Sequence, residues 1–189
     1  MSVSTVREYQ GTKIPAAGTF SLDPAHTHVG FVARHMMVSK VRGSFTELSG
    51  KIVVGEDPTQ SSAQASIVVK SVSTGVEMRD NHLRSADFFE ADRHPTLEFV
   101  STSLTPKGGS EFLLRGDLTI KETTVPVELD VELEGVTTNQ NGKQVFGFSA
   151  TGEIDREDFG ITYNAVLEAG GVMISNKIKI EIEGEAIQD

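Results

Sequence analysis

The feature that most constrains this chain is a strict period of two in its hydrophobic residues. Val125, Val127, Leu129, Val131 and Leu133 alternate with Glu128, Asp130, Glu132 and Glu134, and Ile178, Ile180 and Ile182 alternate with Lys177, Lys179, Glu181 and Glu183. On an extended backbone successive side chains point to opposite faces, so each run has one dry face and one wet face. Antiparallel sheets read this way, whereas parallel sheets covered on both sides read as continuous apolar runs. Less regular runs near 19–23, 27–35, 42–54, 63–70, 96–104, 111–120 and 144–154 bring the count to eight or nine strands. Gly55-Glu-Asp-Pro58, Pro106-Lys-Gly-Gly109 and Asn139-Gln-Asn-Gly142 supply turn residues between them. The expected fold class is all-β, an extended antiparallel barrel of about eight strands.

Only residues 76–90 depart from alternation, and Met78, His82 and Leu83 there fit a short helical segment that could cap one barrel end. Residues 1–18 are polar and end in Pro15-Ala-Ala-Gly18, which reads as an N-terminal tail, with a single domain over 19–189. At 189 residues one core is expected.

Charge and composition narrow the partners. With 27 acidic against 17 basic residues the formal charge is −10, which repels a phosphate polyanion, so nucleic acid is not expected as a partner. Cysteine is absent, which removes disulfides, thiolate metal sites and a cysteine nucleophile. No apolar run is long enough to span a bilayer, and no secretory leader is visible at the start, so the cytoplasm is the expected compartment.

Two long blocks carry a family pattern. Leu22-Asp-Pro-Ala-His-Thr-His-Val-Gly-Phe-Val-Ala-Arg-His-Met-Met-Val-Ser-Lys-Val-Arg-Gly-Ser-Phe45 holds a D-x-x-H-[ST] start, an F-x-x-x-H and a V-x-G-x-F. Arg79-Asp-Asn-His-Leu-Arg-Ser-Ala-Asp-Phe-Phe89 is followed by His94-Pro-Thr-Leu-Glu-Phe-Val-Ser101, and Leu114-Arg-Gly-Asp-Leu-Thr-Ile120 and Ile154-Asp-Arg-Glu-Asp-Phe-Gly-Ile161 extend the series. In this order the blocks resemble the YceI-like family from roughly Thr19 to Ala186. At Lys121-Glu-Thr-Thr124 the sequence departs from the glycine turn expected there. The resemblance implies a lipocalin-like barrel that binds polyisoprenoids or related amphiphiles, isoprenoid quinones included, in a long apolar channel. It implies no cofactor beyond that bound polyisoprenoid-type lipid. Many relatives are exported, in contrast to the compartment expected here.

If 27–35 is one regular strand, Thr27, Val29, Phe31, Ala33 and His35 share the inner face, and His35 is a polar handle for a ligand's oxygen. Its bland reading is a core histidine satisfied by backbone or water. Phe45, Phe88, Phe89, Phe99, Phe146, Phe148 and Phe159, with Met36, Met37 and Leu83, supply large apolar surface that suits a chain-like ligand or plain core packing. Arg42, Arg79 and His82, with Arg34 and Arg84, could meet an anionic head group, or Arg79 and Arg84 could simply pair with Asp80 and Asp87.

Two other classes stay open. His26 and His28, spaced i, i+2, would point the same way on a strand, the start of a zinc site for a metal-dependent hydrolase or isomerase, although a third ligand is not evident. Asp155-Arg-Glu-Asp158 groups carboxylates but reads first as a solvated turn. A filled barrel with no cavity is the structural alternative. Lipid binding without catalysis is the leading expectation, and exposed edge strands could support a homodimer.

Overall fold

The structure, a computed structural model, describes residues 5–165, 167 and 173–189. Its strands are β1 (Arg7–Tyr9), β2 (Thr12–Ile14), β3 (Gly18–Leu22), β4 (His28–His35), β5 (Ser39–Phe45), β6 (Leu48–Val54), β7 (Ser62–Val68), β8 (Val72–Ser73), β9 (Thr96–Gly108), β10 (Glu111–Ile120), β11 (Thr123–Thr138), β12 (Gln144–Asp155) and β13 (Lys177–Gln188). One short helix, α1 (Glu77–Arg84), interrupts them between β8 and β9.

The alternating runs form the long strands. From β9 to β13 the chain is an antiparallel meander in which apolar residues face each other across the strands, as in Phe112 with Val131, Leu114 with Leu129 and Ala150 with Ile182. The other half of the wall is built from broken strands. β3 and β4 both pair with β13, Leu22 opposite Ala186 and Phe31 opposite Ile180, and a tight turn over Pro24–His26 separates them. β5 and β6 divide in the same way at Thr46 and Glu47, and β7 and β8 at Val69–Ser71. β6 pairs with β3 and β7, and β7 pairs with β9, which closes an eight-stranded antiparallel barrel.

The break at 24–26 has a local cause. Proline cannot donate to a ladder and presets its own φ, and the Asp23 carboxylate accepts from the Ala25 N–H at 3.0 Å. The run 42–54, expected as one strand, is divided for a related reason. At Thr46 the backbone N–H leaves the ladder for Ser71 O and Ser71 Oγ, so β5 turns toward β8 and β6 toward β7.

Residues expected as a polar tail instead form the β1–β2 hairpin, with Arg7 opposite Ile14 and a turn at Gln10 and Gly11, both at positive φ. Three-residue strands are too short to display a period. The hairpin is held by Arg7, whose guanidinium donates to the carbonyls of Pro15, Gly55 and Glu56, and by the Ala16 N–H, which donates to buried Gln144 Oε1. Ile14 is buried as a result.

Most of the buried apolar residues fall into two separate clusters, with Phe112, Leu129 and Ala150 buried on the wall strands apart from both. Phe20, Val54, Phe146 and Ala186 pack at the end near the hairpin, and Phe45, Val69, Val72, Phe88, Leu97 and Phe159, among others, pack beneath α1.

The departure from a glycine turn at Lys121 has a measurable consequence. Lys121 occupies positive φ (59°) between β10 and β11, a region that costs a side-chain-bearing residue about 1–2 kcal/mol relative to glycine. Part of that gain is offset by the greater entropy of glycine in the unfolded chain. Lys121→Gly should raise the unfolding free energy by about 0.5–1 kcal/mol, read as a higher urea midpoint at unchanged slope.

Candidate functional site

Between the two clusters the barrel is hollow. A cavity of about 630 Å³ runs along its axis, within the roughly 300–1,000 Å³ usual for ligand sites. Many inward residues of the wall, which would be buried in a filled barrel, are only half-buried here: Val29 and Phe31 on β4, Leu114 and Leu118 on β10, Ile180 and Ile182 on β13. The filled-barrel alternative is thereby set aside.

Three phenylalanines show how the lumen is kept open. Phe31 stands opposite Gly43 and Phe148 opposite Gly184, while Phe99 lies one diagonal step from Gly116. A Cβ on any of these glycines would collide with the aromatic ring. Each ring therefore lies against the wall over a bare backbone, contributing area while leaving the axis free.

One end of the cavity is the mouth. β8 has no second strand neighbour among the described residues, and α1 packs against it where a further wall strand would stand. Hydrogen bonds fasten this cap. Buried Asp80 accepts from Thr74 N and Thr74 Oγ1, Arg79 donates to Thr74 Oγ1 and Thr74 O, and Arg84 donates to the carbonyls of Lys70 and Val72. His82 Nε2 lies 2.8 Å from Asp87 Oδ2, and its ring meets Phe88 and Tyr163 edge to face at 5.0 and 4.8 Å.

The opposite rim is pinned by two side chains. Asn164 donates to the Ile174 carbonyl and accepts from the Ile174 N–H, and Ile174 bridges to His35. Arg156, only 4% exposed, donates to the carbonyls of Ser175, Ile161 and Tyr163, and its Nη2 has no hydrogen-bond partner among the described residues. Burial pushes the guanidinium pKa down, and Glu157 and Asp155 oppose that shift.

The expected site residues divide by place. Phe31, His35 and Phe45 line the cavity from β4 and β5, as do Arg79, His82, Leu83, Phe88 and Phe89 from the cap region. Phe99, Phe146 and Phe148 line it from β9 and β12. The other four lie outside the lining. Met36 and Met37 form the exposed tip of the β4–β5 hairpin, because the strand ends at His35 and the chain turns outward there. Arg42 points outward and pairs with Glu181 at 3.4 Å. Phe159 is sealed in the core cluster, since the turn at 156–159 buries it together with Arg156, while the carboxylates of Glu157 and Asp158 stay exposed as expected of a solvated turn.

His26 and His28 do not share a strand. His26 ends the turn at 24–26, its Nδ1 2.7 Å from Asp23 Oδ2 and 3.9 Å from Glu185 Oε2, and both histidines are exposed. Asp23, His26 and Glu185 lie close enough to share an ion, but His28 has no part in that group. The hydrogen bond to Asp23, followed by the charges of Asp23 and Glu185, raises the His26 pKa, and the same bond lowers that of Asp23. Arg156, Gly43 and Gly116 stand in the blocks that carry the family pattern but were given no role there, and Asn164 and Gly184 lie outside those blocks.

Comparison with known proteins places this geometry. The YceI-like domain family matches residues 20–186. A UPF0312 protein of Staphylococcus aureus is 43% identical over 169 residues, covering 88% of this chain and 95% of its own. The Campylobacter jejuni YceI protein superposes with a TM-score of 0.72 at 30% identity, covering 82% of this chain and 90% of that one. A polyisoprenoid binding domain from Saccharophagus degradans has the same fold, with a TM-score of 0.64 at 18% identity over 90% of this chain and 98% of that one.

Two outcomes follow from the geometry. Gly43→Ala should drive the Phe31 ring into the lumen and weaken uptake of an apolar fluorescent dye by about tenfold, and adding Phe31→Ala should restore it. For His26, a folded pKa raised above the unfolded one means stability that is full below about pH 6.5 and lost as pH rises through the raised value. The destabilisation caused by His26→Gln, read from urea midpoints, should therefore be larger at about pH 5.5 than at about pH 8.5.

Proposed function

The chain belongs to the YceI-like family, and we propose that its barrel binds a long-chain amphiphile of the polyisoprenoid or isoprenoid-quinone type, as a carrier, store or sensor and not as an enzyme. The observation that carries this reading is the division of the core into two end clusters with an unfilled apolar channel between them. Each CH₂ that a tail moves from water into such a channel is worth about 0.8 kcal/mol, so affinity accumulates with chain length and needs no specific chemistry.

Neutral polar groups of Ser61, Ser62 and Gln64 line the cavity near the β6–β7 connection, whereas its cations and histidines stand at the mouth. Arg34, His35, Arg79, His82 and Tyr163 stand there, and no carboxylate is among the described lining residues. Such a set suits a head group that accepts hydrogen bonds or carries negative charge, with the tail reaching toward Phe146 and Ile14. That no carboxylate is among the described lining residues supports binding over hydrolysis by a carboxylate pair. The name of the Saccharophagus domain, a polyisoprenoid binding domain, agrees with this ligand class.

Organic extraction and native mass spectrometry of the purified protein test the reading, with a stoichiometric prenyl lipid as the expected result. Filling the channel with Val127→Phe and Ile180→Phe should lower prenyl-lipid affinity by at least about tenfold while leaving stability within about 1 kcal/mol of the parent or above it. Unchanged affinity in that variant would place the ligand elsewhere.

A further inference from the structure

We propose that the β4–β5 hairpin docks the channel mouth onto a bilayer surface bearing anionic phospholipid head groups. Its tip is Met36, Met37 and Val38, which are 43%, 63% and 82% exposed. Large apolar residues exposed together at a protruding turn mark a contact site more often than chance. The backbone there is unusual as well. The Val38 N–H donates to the His35 carbonyl, and both central residues of this turn, Met36 and Met37, hold positive φ (53° and 60°). Glycine and asparagine are the residues at home in such turns. Two methionines held there are strained, and strain of this kind concentrates at functional positions.

A cationic collar stands behind the apolar tip. Arg34 and Lys40 are register partners across the hairpin, and Arg42 follows opposite Val32 on the same outward face. Like charges placed directly opposite each other destabilise a strand pair. Among the described residues Arg42 is paired with Glu181, but Arg34 and Lys40 have no ion pair. The sequence agrees: between Asp23 and Glu47 there is no acidic residue, in a chain with 27 of them. The repulsion between Arg34 and Lys40 is relieved by an external anion.

The spacing fits an interface. Arg34 and Lys40 stand two residues back from Met36 and Val38, a rise of about 7 Å along the strands. Apolar side chains of a peripheral contact sink about 5–10 Å to the boundary between head groups and acyl chains, where cations meet phosphates. The same hairpin forms the rim of the cavity: Arg34 and His35 line it, His35 bridges to Ile174, and the Met36 N–H donates to Met173 O. A bilayer seated on this tip would face the mouth, so an apolar cargo could pass between membrane and lumen without crossing water. That consequence rests on the proposed ligand class, whereas docking itself rests on the hairpin alone.

Flotation with vesicles of equal parts phosphatidylglycerol and phosphatidylcholine tests it, beside vesicles of phosphatidylcholine alone. The protein should float with the former, less so at high salt, and not with the latter. Arg34→Glu with Lys40→Glu should weaken binding about tenfold or more, Met37→Asp with Val38→Asp should abolish it, and Val100→Asp, an exposed barrel-wall change, should leave it intact. Because the chain has no tryptophan, Val38→Trp gives a single reporter whose emission should shift to the blue on insertion. Circular dichroism and an unchanged urea midpoint verify that the variants fold. Failure of the parent protein to float overturns the proposal, as does equal flotation of the tip variants. Self-association that needs the tip, without flotation, overturns it in favour of a contact between copies. Delipidated protein that floats while no prenyl lipid co-purifies from cells would separate a failure of the ligand assignment from a failure of docking.

Discussion

The structure depends on the way three aromatic rings are seated. An eight-stranded barrel stands at the width where side chains from opposite walls just meet, so the orientation of the largest inward residues decides whether an axis remains. Phe31, Phe99 and Phe148 each lie over a glycine on the neighbouring strand, which turns the thickness of a ring into lining area instead of plug. The two end clusters then supply the packing that mid-barrel does not. A domain arranged this way keeps much of its apolar surface half-buried until something enters, and such surface has a standing tendency to recruit an apolar molecule.

The mouth is rigid where polar groups hold it. Arg156 gathers the carbonyls of residues 161, 163 and 175 around one buried guanidinium, and Asn164 ties the two sides of the same segment together. Thr74, Asp80, Arg79 and Arg84 do the equivalent for α1. Most of the cation capacity of the cap is thus spent on its own backbone, and His82 is held by Asp87. Breaking a buried pairing of this kind costs more than the bond contributes, because the remaining partner stays desolvated.

What the sequence disclosed follows from the same physics. Alternation at 125–133 and 177–183 showed the barrel, because a wall with one wet face leaves a period of two. The parity of Phe31 and His35 was legible for that reason, and it places both on the cavity. The β1–β2 hairpin was not legible, since three residues carry no period, and neither was the sealing of Arg156 and Phe159, since a short turn buries residues by the path of the chain and not by pattern. Met36 and Met37 were apolar and adjacent to an inward strand, so they read as lining. Only the position of the turn shows that they point out of the barrel. His26 misled similarly: i, i+2 spacing means one face only on an unbroken strand, and Pro24 breaks it.

Charge is distributed unevenly for a reason the fold makes visible. A net charge of −10 keeps the outer wall well hydrated and discourages edge contacts, and Glu128, Asp130 and Glu132 on β11 present it directly to solvent. The stretch from Pro24 to Thr46 departs from this rule while forming both the rim and one wall of the channel. Acids placed there would oppose an electron-rich head group at the mouth and a phosphate surface outside it, so one selective pressure accounts for two absences. The like charges of Arg34 and Lys40 in register, with no ion pair among the described residues, and the positive-φ turn beyond them are unfavourable in the isolated molecule. Both make sense together if the rim of this barrel works in contact with a second, negatively charged and apolar phase.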